Sequence, residues 1–206
     1  MQAGINSSSK SPRARIMKLE LGRRPSLHCP ADRNPAVNRL CREIDDALDA
    51  AQSDGGLSFG VRVYAALARA IADPALLRAD QRTGSPQTYQ RHLLAADPLG
   101  RYAIAALVWE PGQSSPVHAH RTWCGYAVID GALEETLYRW DTNTHCAAET
   151  RRHPQEAGAV SYADAGRGAI HQLANPADAT TRAVSIHIYG VAGELIATHV
   201  NDLLAA

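Results

Sequence analysis

The sequence has no excess of charge of either sign and no long apolar run. Lysine plus arginine number 21 and aspartate plus glutamate also number 21 among 206 residues, so no overall attraction to nucleic acid or to a membrane surface is expected. No apolar stretch is long enough to cross a bilayer as a helix, and none precedes a secretory cleavage site. We therefore predict a protein whose partners are neither nucleic acid nor membrane.

Cysteine is scarce, and the four cysteines form no CxxC pair; they are Cys29, Cys41, Cys124 and Cys146. This usage fits a reducing compartment better than a disulfide framework, and we expect a cytoplasmic protein. The sequence also has no internal repeat at the periods of solenoids or propellers, and no evident DNA-binding helix-turn-helix.

The length is sufficient for one domain with a flanking segment. Within residues 1–30 the basic residues are mixed with serines, and Glu20 is the only acid. We predict that residues 1–30 form a basic, disordered leader, with a transit peptide as the alternative. Residues 31–80 are predicted to be a helical segment and residues 81–206 a β-barrel, so that residues 31–206 form one structural domain.

Two helices are predicted before the barrel. The first begins at Asn34-Pro35, an N-cap followed by proline at the first helical position, and ends at Gly55-Gly56. The second spans Phe59 to Ala72. We expect both helices to pack against a sheet.

From Tyr89 onward the sequence is a series of short strands separated by turn residues such as Asp130-Gly131. The predicted strands are Tyr89–Ala96, Tyr102–Glu110, Pro116–Asp130, Leu133–Trp140, Ala157–Tyr162, Ile170–Leu173, Thr181–Tyr189 and Ala197–Val200. Many short strands at this spacing predict a mainly β fold, an antiparallel barrel or jelly roll with the helices packed against it. His145 and His153 fall in a polar loop between strands and receive no role.

The most informative segment contains His118 and His120. Two histidines at i and i+2 in a strand point to the same face, so their imidazoles can bind one metal ion together. His171, on a separate predicted strand, supplies a third ligand. Two adjacent ligands and one distant ligand are how a rigid barrel builds a facial metal site with open positions.

This segment reads Gly112-x5-His118-x-His120-x3-Cys124-x6-Gly131, which resembles the first cupin motif, and His171-x3-Asn175 resembles the end of the second. Most cupins have a glutamate ligand where this chain has Cys124. The second motif also departs from the usual pattern, because Asp164 stands where a proline is common.

A cysteine at the glutamate position resembles the cysteine dioxygenases, thiol-oxidising cupins that hold iron with three histidines. Three further segments, over roughly residues 85 to 190, are similar to that family: Tyr89-Gln-Arg91, Leu133-Glu-Glu-Thr-Leu-Tyr138 and Ser185-Ile-His187-Ile-Tyr189. The chain resembles bacterial members with arginine at the position that binds the substrate carboxylate.

The resemblance implies an Fe²⁺ cofactor held by His118, His120 and His171, and a small thiol and O₂ as reactants. The implied reaction converts L-cysteine to cysteine sulfinic acid. Three neutral histidines leave the ion its full charge, which a substrate thiolate partly cancels. Arg91, supported by Tyr89, is implied to bind the substrate carboxylate through two parallel hydrogen bonds.

Ser185, His187 and Tyr189 alternate with apolar residues, so one face of their strand is polar. That face could be the solvent side. The resemblance instead places it inside as a catalytic group, with His187 hydrogen-bonded to Ser185 and orienting the Tyr189 hydroxyl toward the oxygen reactant.

Cys124 has three interpretations: a small buried residue, a metal ligand, or the partner of Tyr189 in a thioether crosslink. The crosslink is known in animal members of the family. Here the spacing from His120 is one residue shorter than in the animal pattern, which leaves the crosslink open. Ligation by Cys124 is disfavoured because His171 already provides a third ligand.

Three other functions compete with cysteine oxidation. The first keeps the chemistry and changes the substrate to 3-mercaptopropionate or another mercapto acid; Arg91 and Thr198 both favour cysteine. The second belongs to another class, a non-catalytic metal-binding cupin. The third is a Zn²⁺ or Mn²⁺ cupin that performs isomerisation or hydrolysis, although such enzymes usually keep the carboxylate ligand that Cys124 replaces. The sequence predicts no particular oligomeric state.

Overall fold

The computed structural model describes residues 34–206, so the predicted leader lies outside the described residues. Within this range the helices are α1 (Pro35–Asp54) and α2 (Phe59–Ile71). The strands are β1 (Gln90–Ala96), β2 (Ala103–Trp109), β3 (His118–His120), β4 (Cys124–Asp130), β5 (Ala132–Asp141), β6 (Cys146–Glu156), β7 (Val160–Ala163), β8 (Gly166–Ala174), β9 (Ala183–Tyr189) and β10 (Asn201–Leu203). Neither helix in this part of the chain is long and apolar enough to span a membrane.

Local sequence accounts for both ends of α1. The Asn34 side chain accepts a hydrogen bond of 2.7 Å from the Ala36 amide, and Gly55 ends the helix with a φ of 67°. Left-handed backbone of this kind favours glycine, since a side chain would clash with the chain. The start and end of α1 therefore agree with the prediction, and α2 ends one residue earlier than predicted.

Ten strands form two five-stranded antiparallel sheets, with the orders β1-β2-β9-β4-β7 and β10-β3-β8-β5-β6. In the first sheet, β2 and β9 are buried along their whole length. Alternate residues of these strands, such as Ile104 and Ile186, pack outward beneath α1 and α2. The opposite set, which includes Leu107 and Trp109, points into the space between the sheets. The prediction of a mainly β, antiparallel barrel with helices packed against it is confirmed.

The predicted strand Pro116–Asp130 is two strands in the structure. It divides into β3 and β4, which belong to different sheets, and the chain crosses between the sheets at residues 121–123. The crossing is held by hydrogen bonds to other segments: the Thr122 hydroxyl donates to the Gly190 carbonyl, and the Gly190 amide donates to the Trp123 carbonyl. Residues 121–123 contain no glycine or proline to mark this break in the sequence.

The strand β6 was missed, and the strand predicted at Ala197–Val200 is wrong. β6 lies at the edge of its sheet and is mostly exposed on both faces, so it has no apolar alternation to reveal it. Residues 197–200 form turns and bends, and the strand β10 begins one residue later. The placement of His153 in a loop is therefore also wrong, since it lies on β6.

Candidate metal centre

Three histidines meet inside the barrel. His118 and His120 project from β3, and His118 is paired directly with His171 of β8. The ring centroids lie 4.7 Å apart for His118 and His171, and 5.0 Å apart for each of the other two pairs. One nitrogen from each ring lies within 4.8 Å of the other two, and all three residues are buried. This separation allows three imidazoles to bind one ion.

The hydrogen bonds of the rings leave nitrogens available for a metal. The Nδ1 atom of His118 lies 2.8 Å from the Pro116 carbonyl, to which it donates, so its Nε2 atom carries the free lone pair. The Nδ1 atom of His171 lies 2.7 Å from a Glu135 carboxylate oxygen, and its Nε2 atom is buried without a hydrogen-bond partner. The Nδ1 atom of His120 is likewise buried without a partner. Buried nitrogens without partners are costly unless a ligand such as a metal ion binds them.

The protonation states also suit a metal. Burial lowers the pKa of His118 to about 4, with a further contribution from His171, and lowers the pKa of His120 to about 2, with contributions from His171 and His118. Neutral imidazole is the form that binds metals. A set of three imidazoles fits a divalent transition metal such as iron, zinc, copper or nickel, and does not by itself select among them.

A buried carboxylate lies behind His171. Glu135 of β5 accepts a hydrogen bond of 2.7 Å from Gln155 on its second oxygen, and the His153 ring lies 3.3 Å from the same oxygen. Sequence analysis noted Glu135 only within a family-like run. It missed the contact because Gln155 and His153 lie on β6, which was not predicted.

The polar face of β9 points into the barrel, with Ser185, His187 and Tyr189 all buried. The Trp109 indole donates to the Ser185 oxygen at 2.9 Å, the Ser185 oxygen lies 2.9 Å from His187 Nε2, and the Tyr189 hydroxyl lies 3.0 Å from His187 Nδ1. An indole can only donate, and His187 Nε2 is the other side-chain partner of the Ser185 hydroxyl among the described residues, so we assign the Ser185 proton to the contact with His187 Nε2.

That polarity determines where the Tyr189 proton points. Burial holds the pKa of His187 well below its usual value, so the ring carries a single proton. With Nε2 accepting from Ser185, this proton sits on Nδ1 and is donated to the Tyr189 oxygen. The phenolic proton of Tyr189 is then free to be donated into the space in front of the histidines.

Arg91 and Tyr89 reach the same space from β1 and the residue that precedes it. The Nε atom of Arg91 is buried without a hydrogen-bond partner, and its guanidinium carbon lies 5.8 Å from the Tyr89 ring centroid. Tyr89 stacks on Trp109 at a centroid distance of 4.4 Å. A buried donor without a partner is suited to bind an anionic group.

One small cavity unites most of these groups. The predicted site residues that line it are Tyr89, Arg91, His118, His120, Cys124, His171, His187 and Tyr189. Ser185 does not line the cavity but lies behind His187. Sequence analysis missed Trp109 and Asn201, which also line it.

Cys124 is fully buried on β4, directly opposite Tyr189 of β9. Burial, with a contribution from Glu135, raises the pKa of the Cys124 thiol far above its usual value. A protonated thiol is a poor metal ligand. Within residues 34–206, the cluster of groups that could hold a metal comprises the three histidines without Cys124.

An antiparallel barrel with a buried cluster of three histidines that could hold a metal ion defines a protein of the cupin class. The chain is similar to a protein with a double-stranded β-helix domain from Klebsiella pneumoniae subsp. pneumoniae MGH 78578, with 14% identity over 66% of this chain and 95% of that one, and a TM-score of 0.46. It is also similar to a Cupin 2 conserved barrel domain protein from Salinispora arenicola CNS-205, with 21% identity over 55% and 85% of the two chains and a TM-score of 0.40.

The family is defined more closely by sequence. The model of the family described as Cysteine dioxygenase type I matches residues 81–196, which is more than half of the chain. The chain belongs to this family. Its match begins just before β1 and ends before β10, so it contains all three histidines of the candidate metal centre.

Proposed function

We propose that this protein is an Fe²⁺-dependent thiol dioxygenase that converts L-cysteine and O₂ to cysteine sulfinic acid. Family membership supports thiol dioxygenation as the class of chemistry. The observation that carries the proposal is the shared cavity, in which Arg91 and Tyr189 lie beside the three histidines. A carboxylate-binding group, a phenol and a metal site are thereby brought within the length of one small substrate.

In this proposal His118, His120 and His171 hold the ion through one nitrogen each. When bound, ferrous iron supplies redox chemistry toward O₂ and lowers the pKa of a thiol that coordinates it. Because burial lowers the pKa of His118 and of His120, these two rings are already neutral and release few protons when the metal binds. Their burial also keeps bulk water away from the reacting groups.

Arg91 is proposed to bind the substrate carboxylate. Its guanidinium can form two parallel hydrogen bonds with a carboxylate, a geometry that lysine cannot reproduce. The stacked rings of Tyr89 and Trp109 restrict the space around it. When the carboxylate is held, the thiol of the amino acid lies at a fixed distance from the histidines. Binding of the carboxylate therefore orients the thiol toward the metal site.

Tyr189 is proposed to donate its phenolic proton to the oxygen reactant. The hydrogen bonds from Trp109 through Ser185 and His187 direct this proton into the cavity, and burial raises the pKa of Tyr189 well above its usual value. The phenol therefore remains protonated at neutral pH and acts as a hydrogen-bond donor. Arg91 lines the same cavity, so this donor lies in the same space as the carboxylate-binding group.

A second candidate substrate is 3-mercaptopropionate, which has the same thiol and carboxylate but no amine. One observation favours it: no acidic side chain of the described residues lines the cavity, so the protein offers a substrate amine no ion-pair partner. Thr198 does not line the cavity either; it is exposed and bonded to His199. A non-catalytic metal-binding cupin remains the alternative of another class.

The test is oxygen consumption by protein reconstituted anaerobically with Fe²⁺. We expect O₂ uptake that depends on thiol and is fastest with L-cysteine, against 3-mercaptopropionate, homocysteine and mercaptosuccinate. Mass spectrometry of the product should show the addition of two oxygen atoms derived from ¹⁸O₂. Disulfide as the sole product would contradict dioxygenation, and metal binding without thiol-dependent uptake would favour the non-catalytic alternative.

The cellular compartment is also a proposal. The four cysteines of the sequence form no CxxC pair, which supports a reducing, cytoplasmic location.

A further inference from the structure

Glu135 is the one acidic side chain that contacts a histidine of the metal centre within the described residues. Its carboxylate oxygen accepts from His171 Nδ1 at 2.7 Å, and the two side chains are 7% and 8% exposed. Glu135 pairs with Leu173 across β5 and β8, so it is the diagonal neighbour of His171. Two fixed strands therefore set the contact, and a flexible loop does not.

The remaining contacts of Glu135 favour the carboxylate form. One of its oxygens accepts from His171 Nδ1 at 2.7 Å and the other accepts from Gln155 Nε2 at 2.7 Å. Donors to both oxygens favour the charged form. His153, on β6, is the only other residue that forms a possible ion pair with it in the part of the chain described.

The charge of Glu135 has no fixed cation to balance it. No arginine or lysine of residues 34–206 forms a salt bridge with it, and its possible ion-pair partners there are the titratable rings of His153 and His171. The cluster of three histidines that includes His171 is the place in this range where a metal cation could bind. An ionised carboxylate in a buried environment is costly when it lacks a compensating positive charge. A divalent cation bound to the far side of the His171 ring would supply that charge.

We propose that Glu135 is a positioning residue for the metal: it keeps His171 in the Nδ1–H tautomer, so that Nε2 faces His118 and His120, and adds one negative charge to the centre. This inference rests on the proposed metal site and not on the identity of the thiol. His118 provides the contrast within the same centre, because its Nδ1 donates to the neutral carbonyl of Pro116.

With Glu135 included, the net charge of the metal centre differs from the one that the sequence predicts. Three neutral imidazoles leave a divalent ion with a net charge of +2. The Glu135 carboxylate lowers this net charge by one. Carboxylates that hydrogen-bond a metal-binding histidine raise its basicity, and their loss typically weakens metal binding by roughly 10- to 100-fold. The same range is expected here.

The experiment compares Glu135→Gln, Glu135→Ala and a control, Glu134→Gln. Glu134 is the adjacent residue of β5, carries the same charge, is partly exposed and pairs with Arg152. Affinities for Zn²⁺ and Co²⁺ are measured by competition with a chromophoric chelator at constant pH. We expect affinity to fall roughly 10- to 100-fold in Glu135→Gln, further in Glu135→Ala, and to be unchanged in Glu134→Gln.

The melting temperature of the metal-free protein separates positioning from a structural role. If Glu135 mainly stabilised the fold, Glu135→Gln would lower that temperature. If the charge of Glu135 is instead uncompensated in the absence of metal, Glu135→Gln should melt at the same temperature as the unmodified protein or at a higher one. A clear drop in melting temperature, or metal affinity within about twofold of the unmodified protein, would overturn the proposal.

The tautomer is read directly from the ¹⁵N-imidazole spectrum of the metal-free protein. We expect the Nδ1–H form for His171, retained in Glu135→Gln, whose side-chain oxygen can still accept, and lost in Glu135→Ala. The Nε2–H form in the unmodified protein would overturn the proposal. None of these measurements uses thiol oxidation, so a failure of the proposed enzymatic function would leave them readable.

Discussion

Cys124 lies directly opposite Tyr189 across the antiparallel strands β4 and β9, and both residues line the candidate active cavity. Cβ atoms of directly opposed residues are about 4.5–5.5 Å apart, which places the thiol beside the phenol ring. The pairing therefore brings together the two side chains that the family resemblance connects, despite the shorter spacing between His120 and Cys124.

This pairing leads to a prediction about mass. Protein that has turned over with Fe²⁺, cysteine and O₂ should weigh two hydrogen atoms less than its sequence requires, because O₂ oxidises the thiol and phenol to a thioether. The intact mass of Cys124→Ser, treated in the same way, should equal its sequence mass. A full sequence mass for the unmodified protein after many turnovers would argue against the crosslink.

Replacing Tyr189 by phenylalanine should reduce kcat while leaving metal affinity intact. The substitution removes the proton that Ser185 and His187 direct into the cavity, and positioned proton donors contribute roughly 10²- to 10⁴-fold to rate. We expect a loss of kcat of about 100-fold, with a change in KM of less than about threefold. Ser185→Ala should show a smaller loss of the same kind. Thr198→Ala, an exposed hydroxyl outside the cavity, serves as the control.

Arg91→Ala should act on substrate binding. A hydrogen bond to a charged group is worth about 1.5–3 kcal/mol, so KM for L-cysteine should rise roughly 10- to 150-fold. Metal content should not change, since Arg91 contacts none of the three metal-binding histidines through an observed hydrogen bond. Cysteamine, which lacks the carboxylate, provides the matched substrate. Equal loss with both thiols would remove Arg91 from carboxylate recognition.

Acid should destabilise the metal-free protein. His118 has a pKa of about 4 when folded and 6.5 as the reference value for the unfolded chain. Below pH 6.5 the unfolded chain therefore binds more protons than the folded one, and stability falls until the pH reaches the folded pKa. His118 alone should reduce the free energy of unfolding by about 2 kcal/mol between pH 7.5 and pH 5, with a similar loss from His120.

Urea denaturation in the presence of a chelator at these two pH values measures the effect. The His118→Gln variant should show a shallower dependence on pH, because it has no group at that position to titrate. An identical slope in both proteins would show that other residues account for the acid sensitivity.

The sequence predicts some parts of the candidate site better than others. The spacing of His118 and His120 depends only on the two-residue period of a strand, and the sequence alone was sufficient to group them with His171. The role of Glu135 could not be predicted, because its contact with His171 depends on the register of β5 against β8. Gln155 lies on the polar edge strand β6, where no apolar alternation distinguishes a strand from a loop.

The break between β3 and β4 shows a related limit. Residues on both sides of the break are buried and apolar or metal-binding, so their pattern is continuous along the chain. What separates them is contact with distant segments, since the Arg121 amide donates to the carbonyl of Val200 and Thr122 donates to the carbonyl of Gly190. The residues around positions 121–123 do not predict these distant partners.

The strand β3, which presents two of the three imidazoles, is only three residues long and is flanked by β10 and β8. Its pairing of His120 with Asn201 spans about eighty positions of the chain, and that with β8 about fifty. Contacts so distant in sequence form slowly, because a long loop must close before they contribute. Metal binding should therefore occur late in folding. During synthesis, the three imidazoles come together to bind a metal only after β10 has paired with β3.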